Sequence, residues 1–208
     1  MPPDLIPNAF ATLFVAIDPL GLLPVFLALT AGAGAAERRR IALRGTLIGG
    51  GVLLAFALLG DRLLGLLGIG LPAFRVAGGL MLLVIAFEMV FERRSERRTR
   101  SAEGAKADPV REDVAVFPVA IPLIAGPGAI TAVVLLMGRY QGEPLLQAAV
   151  LAVLALVLGL SLATFLLVER IERLLGATGT TVASRLLGIL LAALAVQFVL
   201  DGIALALF

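Results

Sequence analysis

The stretch Ala16-Ile17-Asp18-Pro19-Leu20-Gly21-Leu22-Leu23-Pro24 decides how this chain folds. It sets a carboxylate, two prolines and a glycine in the middle of an apolar segment that runs from Ala9 to Leu29. Proline removes a backbone donor and clashes with the preceding helical turn. Glycine is entropically costly inside a helix, and an ionised Asp inside a bilayer is costlier still. A second stretch, Pro122-Leu123-Ile124-Ala125-Gly126-Pro127-Gly128-Ala129-Ile130-Thr131, interrupts another apolar segment in the same way. The two interruptions are expected to face each other and to form one binding site.

Around these stretches the chain is built for lipid. Its 208 residues are 60% hydrophobic and 15% charged, with a mean hydropathy of +1.06; soluble domains carry about 25% charged residues. Uncharged runs are long enough to cross a hydrocarbon layer of about 30 Å, which takes about 20 helical residues. The expected fold is an all-α membrane protein with six spans: Ala9–Thr30, Ile41–Gly60, Leu71–Phe91, Val114–Met137, Pro144–Val168 and Val182–Phe208. The leader Met1-Pro2-Pro3-Asp4 has no positive charge, so the first span does not read as a cleaved signal peptide. Cysteine and histidine are both absent. That excludes disulfides and thiolate chemistry, and it removes the side chain that titrates near neutrality along with the usual zinc and haem ligands. No metal or cofactor is expected.

Charge placement sets an orientation. Arg38, Arg39, Arg40 and Arg44 follow span one, a run from Arg93 to Arg111 follows span three, and Arg170, Arg173 and Arg185 surround the loop after span five. Only Arg62, Arg75 and Arg139 remain for the other side. The excess of positive charge on cytoplasmic loops then places both termini on the outer side of a cell inner membrane. Acidic residues (Glu92, Glu96, Glu103, Asp108, Glu112, Asp113) interleave with the basic run, which marks a solvated linker at 92–113 and not a nucleic-acid surface.

The pattern occurs twice. Ser184-Arg185-Leu186-Leu187-Gly188-Ile189 aligns with Phe74–Gly79 at an offset of 110, and Pro127 aligns with Pro19 at an offset of 108. Residues 1–91 and 114–208 thus read as two repeats of three spans each. An odd number of spans per repeat inverts the second relative to the first, as in secondary transporters whose broken helices meet near the midplane. Spans one and four are the expected discontinuous helices.

Broken backbone within a membrane persists only where protein or a wet cavity covers it. At Gly126-Pro127-Gly128 a half-helix would start with free N–H groups and a positive dipole end, which suit a carboxylate. Asp18 offers a carboxylate to an ammonium group, a proton or a sodium ion. A small zwitterion, such as a small neutral amino acid, satisfies both breaks. Plainer roles stay open: the prolines only kink their helices, Asp18 pairs with a structural Arg, or Asp18 caps the half-helix that starts at Pro19.

The remaining polar residues carry weaker signals. Glu88 and Asp201 lie near span ends, where carboxylates reach water. Arg75 and Arg185 place a cation at a helix N-terminus, against the dipole, and are candidates for gating pairs. Thr131 is a candidate substrate contact and Gln197 a weaker one. The span-two glycines (Gly45, Gly49, Gly50, Gly51) suit helix packing.

The Asp-Pro-x-Gly-x-x-Pro motif (Asp18, Pro19, Gly21, Pro24), the Gly-Pro-Gly-Ala-Ile motif (Gly126 to Ile130) and the six-span pattern together resemble the MarC/SnatA family. That resemblance covers essentially the whole chain. It implies an inner-membrane protein of three-plus-three inverted repeats, with better-understood members regarded as proton-coupled transporters of glycine and alanine. Others lack an agreed function. By the same resemblance the binding region falls on Asp18, Pro19, Gly21, Gly126, Pro127 and Gly128. With no histidine, Asp18 is the expected proton carrier. An intramembrane enzyme would need an acid/base pair, a nucleophile with its base, or metal ligands, and the sequence supplies none of these near mid-membrane. A scaffold or channel explains the packing glycines and leaves Asp18 without a purpose.

Overall fold

The computed structural model describes residues 2–91 and 113–207. Among these residues eight helical segments follow in order, α1 (Leu5–Ile17), α2 (Leu23–Leu29), α3 (Ala35–Leu66), α4 (Leu71–Val90), α5 (Ala115–Ile124), α6 (Pro127–Arg139), α7 (Pro144–Leu166) and α8 (Val168–Leu207). No strand occurs among the described residues. Pro24, Pro72, Pro127 and Pro144 each occupy the first turn of a helix, where the missing N–H costs nothing and the fixed φ favours helix. Prolines here start helices more often than they kink them.

Among the described residues four stretches are long and apolar enough to cross a membrane: α3, α4, α7 and residues Thr178–Leu207 of α8. The α5–α6 pair, bent by 55°, makes a fifth if counted as one span. This differs from the six spans expected. The segment Ala9–Thr30 is divided into pieces of 13 and 7 residues, each short of the roughly 20 needed to cross. The reason is local: Asp18 adopts a left-handed conformation (φ 58°, ψ 63°) and closes α1, and the chain turns through Leu22 before α2 begins.

Two boundaries also move. Arg38, Arg39, Arg40 and Arg44 lie within α3, and Arg170, Arg173 and Arg185 lie within α8, so these arginines extend helices instead of filling loops. Residues Leu63–Leu66 continue α3, and the chain reverses at Gly68 (φ 69°) to enter α4. Gly176 (φ 61°) breaks α8 between its arginine-bearing start and its spanning part. The charged linker read at 92–113 lies, except for Asp113, outside the described residues. Asp113 pairs with Arg44 at 2.7 Å and accepts the Ala115 amide at 3.1 Å, tying the start of α5 to α3.

Segment α5 is not a regular helix. Phe117 and Ile121 have extended backbone, and their bonds to Pro118 and Pro122 are both cis. A residue before proline is pushed out of the α region, and here that happens twice in five residues. Bonds from Val119 to Val114 and from Ala125 to Ala120 close wide turns around these points.

The broken elements lie innermost. Leu5, Leu13, Ile17, Leu22, Leu23 and Phe26 from α1, α2 and the turn between them are among the most completely buried side chains, and nearly all of α6 from Gly128 to Gly138 is buried. The continuous helices instead expose Leu47, Leu58, Leu66, Leu80, Leu190 and Leu207, as a lipid-facing layer would. Irregular backbone shielded by regular helices is the arrangement a membrane demands.

Helices α4 and α8 form the most extensive interface and run antiparallel. A Cβ on Gly188 would meet Met89 and Ala86, one on Gly79 would meet Ala195 and Val199, and one on Gly202 would meet Arg75 and Pro72. Small residues let these backbones approach. The span-two glycines pack as expected at three positions, Gly45 against Val119, Gly49 against Ile124 and Gly50 against Leu158, while Gly51 faces open space.

Candidate functional site

The first break is a polar knot inside the apolar core. Asp18 is 2% exposed. Its amide donates to the Phe14 carbonyl at 2.8 Å, which ends α1, and its own carbonyl accepts from Leu22 at 3.2 Å. Its Oδ1 accepts the Gly21 amide at 3.1 Å and the Ser184 hydroxyl at 3.3 Å. The first contact closes the turn between α1 and α2; α2 itself starts at Leu23 with Leu22 at its N-cap, so Asp18 ends α1 and does not cap a half-helix starting at Pro19. The second is long-range and joins the break to α8.

Gly21 is required by that geometry. A Cβ there would stand 2.1 Å from Asp18 Oδ2 and 2.7 Å from Cγ, so the carboxylate occupies the space a side chain would need. Pro19 is buried beside it, and Pro24 is exposed in the first turn of α2.

The second break places Gly126 as the N-cap of α6 with Pro127 following. A Cβ on Gly126 would lie 2.6 Å from the Pro122 carbonyl oxygen, because the bent backbone folds back on itself there. Pro127 is exposed and Gly126 partly so. Gly128 is buried against α4, its absent Cβ replaced by Ile85 and Leu82. Thr131 turns its methyl to Gly78 of α4, 2.6 Å from where a Cβ would be. Gly128 and Thr131 therefore serve helix contact at this site.

Both breaks neighbour the α4–α8 pair, at different levels along it. Ser184 bonds Asp18, and Gly188, one turn along α8, packs on Met89 and Ala86 of α4. Gly128 packs on the next turn of α4, at Ile85 and Leu82. Asp18 lies nearer the Val90 end of α4 than Gly128 does. Ser184 had no signal in the sequence, because in the repeat alignment it stands opposite Phe74.

Charged candidates collect at the other end of the α4–α8 pair. Asp201 accepts the Gln197 amide at 2.6 Å and lies 4.0 Å from Arg139. Arg75 feels both Asp201 and Arg139, and its stem packs against Gly202. Arg139 also lies 6.0 Å from the Tyr140 ring centroid. Arg75 is thus part of a cluster joining α4, α6 and α8. Arg185 follows Ser184 at the opposite end of α8, and Glu88 precedes Met89 at the matching end of α4. Among the described residues no group of three or more carboxylates is placed to hold a metal ion.

Comparison with known proteins adds the family. A UPF0056 membrane protein of Archaeoglobus fulgidus is 36% identical over 198 residues, 94% of this chain and 91% of its own. The UPF0056 membrane protein YhcE of Escherichia coli is 34% identical over 194 residues, 93% of this chain and 89% of its own. The UPF0056 inner membrane protein YhgN of the same organism is 32% identical over 197 residues, 94% of each. No solved structure matches. The model of the MarC family integral membrane protein matches residues 4–207, and the chain belongs to that family.

Proposed function

We propose that the protein is a secondary transporter of small neutral amino acids of the glycine and alanine type, coupled to protons or sodium. It works by alternating access around its two broken helices. The observation that carries this is Asp18, a buried carboxylate at a helix break, held by Gly21 from its own turn and by Ser184 from the far half of the sequence. The Ser184 bond ties this carboxylate to a helix 166 residues away, so a shift between the two elements would alter its surroundings. Movement of α8 relative to α1 and α2 changes the hydrogen bonding of Asp18 and thus its readiness to take a cation, a proton or an ammonium group.

The antiparallel α4–α8 pair supports a six-helix, inverted two-repeat arrangement, since these are the third helices of the two proposed repeats. The first and fourth membrane helices are then α1–α2 and α5–α6, both discontinuous. Substrate contacts are assigned to Asp18, Pro19, Gly21, Gly126 and Pro127, with Gly128 and Thr131 holding α6 against α4, and proton transfer to Asp18. Arg75 with Asp201 forms an outer gate, and Arg185 belongs to the gate at the other end. The excess of basic residues on one side favours both termini outside, and an inner-membrane location is in keeping with the relative YhgN, an inner membrane protein by name.

Uptake of labelled glycine and alanine by proteoliposomes, with and without a proton gradient, tests this directly. Saturable uptake is expected, and Asp18→Asn is expected to lose its dependence on the gradient. Absence of saturable uptake of any small neutral amino acid sinks the transporter reading. An Asp18→Asn protein that keeps full gradient-dependent uptake removes Asp18 as the carrier.

A further inference from the structure

The arginine-rich end of the molecule holds a cavity of about 420 Å³ between the start of α3 and the α7–α8 junction. Arg38 and Arg39 line it from α3, and Arg170 and Arg173 from α8; Glu169 is the single acid of the lining, and Phe165 forms its floor. Arg38 pairs through Nη1 with Glu169, and Arg173 Nε donates to the Glu169 carbonyl at 3.1 Å. The lining thus sets four guanidinium groups against one carboxylate and is short of anionic oxygen.

The surroundings of the arginines narrow the kind of anion. Phe165 is 1% exposed and stacks on Phe26 at 4.4 Å, which makes the floor rigid and apolar. Leu166 and Leu167, next in sequence, are 46% and 44% exposed beside the arginines. A free inorganic anion has no use for exposed leucines. A phosphodiester carrying acyl chains uses both features at once, with its headgroup among the guanidinium forks and its chains along the leucines. Basic pockets between membrane helices bind anionic headgroups for this reason.

We infer that this cavity is a binding site for the phosphate headgroup of an anionic phospholipid. Glu169 is a built-in competitor: its carboxylate holds Arg38, and its side chain, 62% exposed, is free to swing aside. The site is independent of transport.

The test uses the full chain in a neutral detergent. Thermal unfolding is followed with short-chain phosphatidylglycerol, with phosphatidylcholine of the same chain length, and with inorganic phosphate, and retained lipids are counted by native mass spectrometry. Phosphatidylglycerol is expected to raise the midpoint saturably and to stay bound, while the other two do neither. Replacing Arg38, Arg170 and Arg173 together by Gln should weaken phosphatidylglycerol about fivefold for each arginine removed. Arg62→Gln, at the opposite end, should leave binding unchanged. Glu169→Gln frees Arg38 and should tighten binding, so the proposal stays exposed to failure even if the triple variant does not fold. Equal effects of the two lipids, a shift produced by inorganic phosphate alone, or weaker binding by Glu169→Gln would each overturn it.

Discussion

Gly21 and Asp18 fit each other atom for atom: the Gly21 amide donates to Oδ1 at 3.1 Å, and Oδ2 fills the position 2.1 Å from where a Cβ would be. The pair explains why a break needs both an acid and a glycine three residues on. Asp18 takes up a left-handed conformation, which Asp tolerates better than most residues, and its side chain then folds over the turn it begins. Only a residue without a side chain can sit beneath it.

Gly21→Ala should therefore force the carboxylate away from both the Gly21 amide and Ser184. A loss of about 1–3 kcal/mol is expected for overpacking of this kind, read as a lower unfolding midpoint in detergent. The cause can be isolated with Asp18→Ala: once the carboxylate is gone, Gly21→Ala should cost little. If the two substitutions are additive, the contact is not what restricts position 21 to glycine.

Ser184→Ala removes a hydroxyl that donates to Asp18 across 3.3 Å. The expected loss of stability is modest, about 1 kcal/mol. Its effect on uptake should be larger than its effect on stability, because the bond links the first break to α8. In an Asp18→Asn background the substitution should change uptake no further. A further drop there would mean that Ser184 acts apart from Asp18.

The glycines of the α4–α8 seam separate packing from propensity. A Cβ on Gly79 would lie 2.8 Å from the Ala195 carbonyl oxygen and 3.0 Å from the Val199 amide nitrogen, backbone atoms that cannot step aside. Gly51 in α3 faces open space. Gly79→Ala should cost about 1–3 kcal/mol, whereas Gly51→Ala should stabilise by about 0.5–1 kcal/mol through helix propensity. Opposite signs in one unfolding assay are the expected result; equal signs would place α4 and α8 further apart than described.

Legibility from sequence followed the strength of local rules. Asp18-Pro19 and Gly126-Pro127 were readable as breaks because proline and glycine disfavour helix interiors whatever surrounds them. The length of each half was not readable. Nothing local says that α2 waits until Leu23: Asp18-Pro19 suggests a half-helix starting at Pro19, whereas the turn runs on through Leu22. Pro118 and Pro122 lay in plain view, yet the extended backbone they impose on Phe117 and Ile121 was hidden behind the more conspicuous Gly126-Pro127-Gly128. Arg38 and Arg170 looked like loop residues because hydropathy measures lipid contact and not helicity. Ser184 and Arg139 were silent for a different reason: their partners, Asp18 and Asp201, are distant in sequence, and one sequence holds no record of such pairs.

A cysteine-free chain allows a direct test of relative movement. Val134 of α6 packs on Gly60 of α3, with its Cβ 3.5 Å from the Cβ position of Gly60, inside the range of about 3.5–4.5 Å found in disulfides. Gly60→Cys with Val134→Cys should cross-link on mild oxidation, joining a helix of the first proposed repeat to the broken helix of the second. Gly51→Cys with Val134→Cys should not, because Gly51 touches nothing. If transport requires one half to move against the other, the oxidised Gly60–Val134 pair should lose uptake and recover it on reduction, while the reduced double variant transports normally. A cross-linked protein that still transports at the reduced rate would show that α3 and α6 stay together through the cycle, and the moving boundary would then have to run between α1–α2 and α8 at the Asp18–Ser184 contact.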